Sequence, residues 1–197
     1  MTSLRRPSWF NFPNQLTISR IVLALAMLHF LFVRFPGSKL AALALFLLAS
    51  MTDYLDGEVA RQKNTVTPFG KLMDPIADKV LTLSAFMGFV QLGIIPAWMV
   101  LLILTRDFLI TGLRLIMPPG KEEIAARNSG KHKTAVQFAA ILGILIFLTL
   151  HETSYWQRAW TAASLRFIYY GMGVVVIVTL WSGIRYLVLN KKFLLGG

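Results

Sequence analysis

The chain has 197 residues, 56% of them hydrophobic, and carries 20 lysines and arginines against 9 acidic residues, a formal net charge of +11. Apolar stretches of about 20 residues, enough to cross a bilayer, recur along its whole length with short polar connections, which excludes a separate soluble domain. With no cysteine, disulfides and thiolate ligands are excluded, and any metal must be held by oxygen or imidazole.

In chain order, Met1 to Phe12 carries Arg5 and Arg6 but no compact apolar run ending in a small-residue cleavage site, so this stretch is expected to stay in the mature protein. Residues 1–13, with aromatics beside arginines, suit a short interfacial segment at headgroup level. Hydropathy then lays down six spans: Leu16 to Val33, Leu40 to Leu55, Phe69 to Leu92, Pro96 to Leu115, Ala135 to Leu150 and Leu165 to Leu189. The expected fold is therefore all-α, a polytopic membrane protein with six transmembrane helices forming a single domain over residues 1–197.

Lysine and arginine set the orientation. Arg5 and Arg6, then Arg61, Lys63 and Lys71, then Lys121, Arg127, Lys131 and Lys133, then Lys191 and Lys192 make every second connection basic. Both termini and the second and fourth connections are thus expected on the cytoplasmic side. The same loops, facing anionic lipid, account for the charge excess without nucleic acid. A homodimer is expected, with an interface that the sequence does not specify.

Four of the nine acids, Asp53, Asp56, Asp74 and Asp78, fall in one short region embedded in apolar sequence. Ionisable groups at membrane depth cost several kcal/mol unless paired or bound to a ligand. On helices, the spacings of three and four place each pair on one face. Four converging carboxylates repel, and a divalent cation is the simplest neutraliser. Oxygen-only ligation favours a hard ion, Mg²⁺ or Mn²⁺, and four ligands suffice for two ions. Pairing with Arg61, Lys71 and Lys79 alone would not require the small residues Gly57, Ala60 and Gly70 threaded between the acids, which let backbones or a phosphorylated ligand approach. Arg61 adds a fork of donors suited to a pyrophosphate.

Written out, Asp53-Tyr-Leu-Asp56-Gly57-Glu-Val-Ala60-Arg61, followed after eight residues by Gly70-Lys-Leu-Met-Asp74-Pro-Ile-Ala-Asp78, resembles the signature of the CDP-alcohol phosphotransferases. The resemblance implies that Asp53, Asp56 and Asp74 hold a first metal ion, and that Asp78 is a second-metal ligand and the general base. It further implies that Gly57, Ala60, Arg61 and Gly70 line the CDP site. The stretch from Pro13 to Arg20 is similar to the opening of bacterial phosphatidylglycerophosphate synthases within that family, which makes Asn14 and Thr17 candidate nucleotide contacts. Asn14 as a helix cap and Arg20 as a snorkelling cation are the plainer alternatives.

A phosphorylated acceptor needs fixed cations, and Arg106, Arg114, Lys131 and Lys133 supply them. For Lys131 and Lys133 a basic loop holding anionic lipid is the alternative, and Arg106 has Asp107 beside it as a partner. The segments Thr105 to Arg114, Gly130 to Gln137 and Thr179 to Tyr186 resemble the same synthases, except that Asp107 stands where a glutamate is expected. Arg185 is assigned to neither pocket nor headgroups. Together these resemblances imply transfer of a phosphatidyl group from CDP-diacylglycerol to glycerol 3-phosphate, in a bacterial inner membrane, with the active site facing the cytoplasm. Two other readings stay open: another acceptor such as inositol phosphate, or a cation transporter built on the aspartates.

Overall fold

A computed structural model describes residues 12–63, 68–117, 124–152 and 158–191, with side chains for 18–52, 76–77, 79–114, 116–117, 133–152 and 162–191. Among the described residues there are six helices and no strand: α1 (Phe12–Phe32), α2 (Ser38–Lys63), α3 (Pro68–Gln91), α4 (Ala97–Ile116), α5 (Ile124–Glu152) and α6 (Arg158–Leu189). Each largely coincides with one apolar stretch read from hydropathy, and α2, α5 and α6 overrun theirs furthest. α2 continues beyond Leu55 to Lys63, α5 begins at Ile124 rather than Ala135, and α6 begins at Arg158 rather than Leu165. The extensions are rich in alanine, arginine and lysine, good helix formers that add little apolar signal. Hydropathy stops where water begins, whereas the backbone hydrogen-bond ladder does not.

The described residues form two compact units, Met1–Ala85 and Phe86–Gly197, divided within α3. In the first, α1 packs against α2. Ala24, Met27 and Leu31 on α1 and Ala42, Phe46 and Ala49 on α2 are fully or almost fully buried, at the three- and four-residue spacing of a single helix face. Small residues on both helices let the backbones approach. The turn between them uses Gly37 at φ 87°, a conformation that a side chain would strain. Lys39 folds back so that its Nζ donates to the carbonyls of Leu31 at 2.8 Å and Val33 at 3.2 Å, while Ser38 Oγ donates to Val33 at 2.8 Å. These bonds satisfy carbonyls left open at the end of α1 and place a cation at its negative pole.

In the second unit, α6 packs against both α4 and α5. α3 ends in a Schellman motif, with Gly93 at φ 70°, its N–H donating to Val90 O at 2.9 Å and the Ile94 N–H to Phe89 O at 3.0 Å. Pro96 then precedes α4. Arg106 bonds Ser182 and Arg114 lies over Tyr186, so α4 and α6 run parallel. Lys133 meets α4 at Asp107 and Gln137 meets α6 at Thr179. Farther along, Gly143 and Phe147 share an apolar cleft of about 560 Å³ with Phe167 and Gly171, which makes α5 and α6 antiparallel.

The outward faces remain apolar: Leu101 is 64% exposed, Phe167 80%, Ile177 67% and Trp181 67%. Such continuous apolar exterior suits lipid, not water. Among the described residues, α5 over Lys133–Glu152 and α6 over Ala162–Leu189 are long and apolar enough to cross a membrane. The apolar stretches described in α1, α2 and α3 are shorter. α4 has comparable length, but Arg106, Asp107 and Arg114 interrupt its apolar run.

Candidate active site

α2 is unbroken through Lys63 and carries Asp53, Asp56, Gly57, Ala60 and Arg61 on one rod, while α3 carries Gly70, Asp74 and Asp78. The helical backbone therefore sets Asp53 three residues from Asp56, and Asp74 four from Asp78, spacings that share a face on each helix. The side chains of these eight residues lie outside the described residues, as do those of Asn14, Thr17 and Lys131. Their backbones place Asn14 and Thr17 in α1, which starts at Phe12 and so puts Asn14 within the first turn rather than at its cap, and Lys131 in α5.

The second unit holds a buried polar cluster where α4, α5 and α6 meet. Asp107, 5% exposed, accepts from Lys133 Nζ at 2.5 Å through Oδ2 and from Arg106 Nη1 at 3.3 Å through Oδ1. Arg106 also donates through Nη2 to Ser182 Oγ at 2.9 Å. Lys133 is 7% exposed and Ser182 3%. One helix turn farther along α5, Gln137 Nε2 donates to Thr179 Oγ1 at 3.5 Å, at the outer limit of a hydrogen bond. One carboxylate thus fixes two cations drawn from adjacent helices. Without Asp107, two like charges would be left in a poorly solvated site.

Arg114 occupies a different setting. It is exposed, with its guanidinium carbon 5.7 Å from the centroid of the Tyr186 ring, within cation–π range. Tyr186 is buried and donates to the Met117 sulfur at 3.3 Å, which holds its ring in place beneath the guanidinium. Arg185 is exposed and belongs to neither arrangement. Of the four proposed acceptor cations, the structure joins Arg106 and Lys133 through Asp107 and sets Arg114 beside Tyr186. The cluster carries one excess positive charge from Arg106, Lys133 and Asp107, which is what an anion site requires. Ser182, Tyr186 and Gln137 were not singled out from the sequence. A lone serine or glutamine in a predominantly apolar segment barely alters a hydropathy window, and its only signal is a polar side chain at core periodicity.

Comparison with known proteins completes the description. Residues 10–181 match the family model described as CDP-alcohol phosphatidyltransferase. A protein of Bacillus subtilis named CDP-diacylglycerol–glycerol-3-phosphate 3-phosphatidyltransferase is 37% identical over 94% of this chain and 97% of its own length. Proteins of the same name are 31% identical in Haemophilus influenzae, over 94% of this chain and 96% of the relative, and 43% identical in Rickettsia felis, over 69% and 75%. The matched region runs through the aspartates of α2 and α3, the Arg106–Asp107–Lys133 cluster and most of α6, and this chain belongs to the CDP-alcohol phosphatidyltransferase family.

Proposed function

We infer that this chain transfers the phosphatidyl group of CDP-diacylglycerol to the 1-hydroxyl of sn-glycerol 3-phosphate, releasing phosphatidylglycerophosphate and CMP. The observation that carries this reading is the end-to-end match with relatives of that named activity, 37% identical over 94% of this chain and 97% of the relative in the Bacillus subtilis case. The family model spans both compact units, which supports one functional domain over the whole chain.

The donor set fits a divalent metal centre: carboxylates paired by helical spacing on α2 and on α3, in a chain without thiolates. Asp53, Asp56 and Asp74 would hold one Mg²⁺ or Mn²⁺ and Asp78 a second, and the bound ions would supply charge neutralisation at the pyrophosphate. Asp78 takes the proton of the acceptor hydroxyl. The freed oxygen attacks the β-phosphorus, a new P–O bond forms, and the bond from that phosphorus to the bridging oxygen breaks as CMP departs. Arg61 donates to the pyrophosphate, Gly57, Ala60 and Gly70 admit the nucleotide closely, and Asn14 and Thr17 contact it. Arg106, Arg114, Lys131 and Lys133 hold the acceptor phosphate, with Asp107 holding Arg106 and Lys133 side by side.

Six membrane crossings, cytoplasmic termini, a cytoplasmic active site in a bacterial inner membrane and a homodimer complete the proposal. The basic residues at alternate connections and the apolar exteriors of the helices support the topology. The test is CMP release by the purified protein in detergent with CDP-diacylglycerol and Mg²⁺ or Mn²⁺. Release is expected with glycerol 3-phosphate and not with inositol phosphate or without acceptor. Release with inositol phosphate instead would reassign the basic cluster, and metal flux without CMP release would replace the transferase by a transporter.

A further inference from the structure

The Arg106 side chain does not stand free. It lies across α6 at one point, Gly183, where a Cβ would come within 2.8 Å of Arg106 Cγ, 3.3 Å of Nε and 3.6 Å of Cδ. The three atoms nearest that position all belong to Arg106, and Cγ is too close to the α4 backbone to swing aside cheaply. Gly171 and Gly173, on the same helix, have nothing within 4 Å of a built Cβ. The neighbouring residue, Ser182, accepts from Arg106 Nη2 at 2.9 Å, and Asp107 from Nη1 at 3.3 Å. Nε is buried and has no hydrogen-bond partner among the described residues. A guanidinium has two N–H groups on each terminal nitrogen. Among the described residues, one from each is thus committed to a protein partner and one from each remains, donors of the kind that bind a phosphate.

We propose that Gly183 and Ser182 are positioning residues that orient Arg106 toward the phosphate of a phosphorylated acceptor: glycine supplies the space on which the stem lies, and serine fixes the rotation of the guanidinium. This rests on the reading above that Arg106 binds that phosphate. α6 then contributes to acceptor recognition through its backbone shape without touching the acceptor. An alanine at 183 would favour the helix itself, so a loss on that substitution would report the displaced arginine.

Steady-state kinetics of the full-length protein in detergent test the proposal. Gly183→Ala is expected to raise KM for glycerol 3-phosphate about tenfold or more, the scale of one charge-assisted hydrogen bond, with kcat and KM for CDP-diacylglycerol within about twofold. Ser182→Ala is expected to move the same constant in the same direction by a smaller factor, and Gly173→Ala to leave it unchanged. In an Arg106→Ala background, Gly183→Ala should add nothing, because its effect passes through that side chain. If Arg106→Ala raises KM for glycerol 3-phosphate while neither Gly183→Ala nor Ser182→Ala does, the positioning role is overturned and the acceptor reading stands. If Arg106→Ala leaves that constant unaltered, the acceptor reading of Arg106 fails and the positioning role with it. Equal loss for both substrates in Gly183→Ala and Ser182→Ala would mark a structural role only and overturn the proposal.

Discussion

Asp107 faces two cations at once, Lys133 Nζ at 2.5 Å and Arg106 Nη1 at 3.3 Å, with all three side chains nearly out of solvent. Removing one member of such a group leaves the others uncompensated. Asp107→Asn is therefore expected to lower the unfolding free energy by about 3–5 kcal/mol and to weaken glycerol 3-phosphate, whereas Asp107→Glu, which keeps the charge, should retain most of both. Thermal unfolding in detergent and initial rates against acceptor concentration check this. Asp78 behaves differently: Asp78→Asn is expected to reduce turnover by about 100-fold or more while CDP-diacylglycerol still binds, and retained turnover would remove the base assignment. The two aspartates also differ in how far the sequence exposes them. Asp78 belongs to a spaced set of acids whose regularity is visible in one dimension. Asp107 reads as a local partner of Arg106, and its second partner, Lys133, lies on another helix, so that pairing becomes visible only when α4 and α5 are packed. The contribution of Ser182 is hidden for the same reason.

At the scale of elements, the apolar stretches announce helices, and the turn at Gly93 is legible from glycine followed by Pro96. The helix ends are less so, because propensity carries α2, α5 and α6 beyond the apolar segments. Gly93 tests the turn chemistry directly. It sits at φ 70° with open space around a built Cβ, so Gly93→Ala meets no clash and pays for the left-handed backbone alone, about 1–2 kcal/mol. Gly173→Ala, in the middle of α6, is expected to be neutral or stabilising. Denaturation of the two variants side by side separates backbone strain from helix propensity.

For the whole molecule, alternate basic connections predict that the α3–α4 turn and the C-terminus lie on opposite sides of the membrane, since α4, α5 and α6 separate them. The chain lacks cysteine, so a single introduced thiol is the only site that a membrane-impermeant maleimide can label. Leu92→Cys is expected to react in intact cells and Lys192→Cys only in inverted vesicles. Labelling of both from one side would exclude the proposed crossing pattern. The all-helical architecture was legible from the sequence because its apolar stretches have the length and continuity of helices rather than of strands. The division of the structure within α3 was not, because a continuous helix gives no compositional sign of where its packing partners change.

The charges of α4 also bear on how the protein is made. Arg or Asp at the centre of a helix opposes entry into the bilayer by about 2.5–3.5 kcal/mol each, and α4 carries Arg106 and Asp107 midway along its length. Their partners, Lys133 and Ser182, are synthesised later. In the six-span arrangement proposed above, α4 is thus a poor passenger by itself at the translocon, and would be secured only when α5 and then α6 arrive to cover its polar face. The order of biogenesis follows: a nascent chain stopped after α4 should integrate poorly, and release of the remaining helices should complete the insertion of one already made.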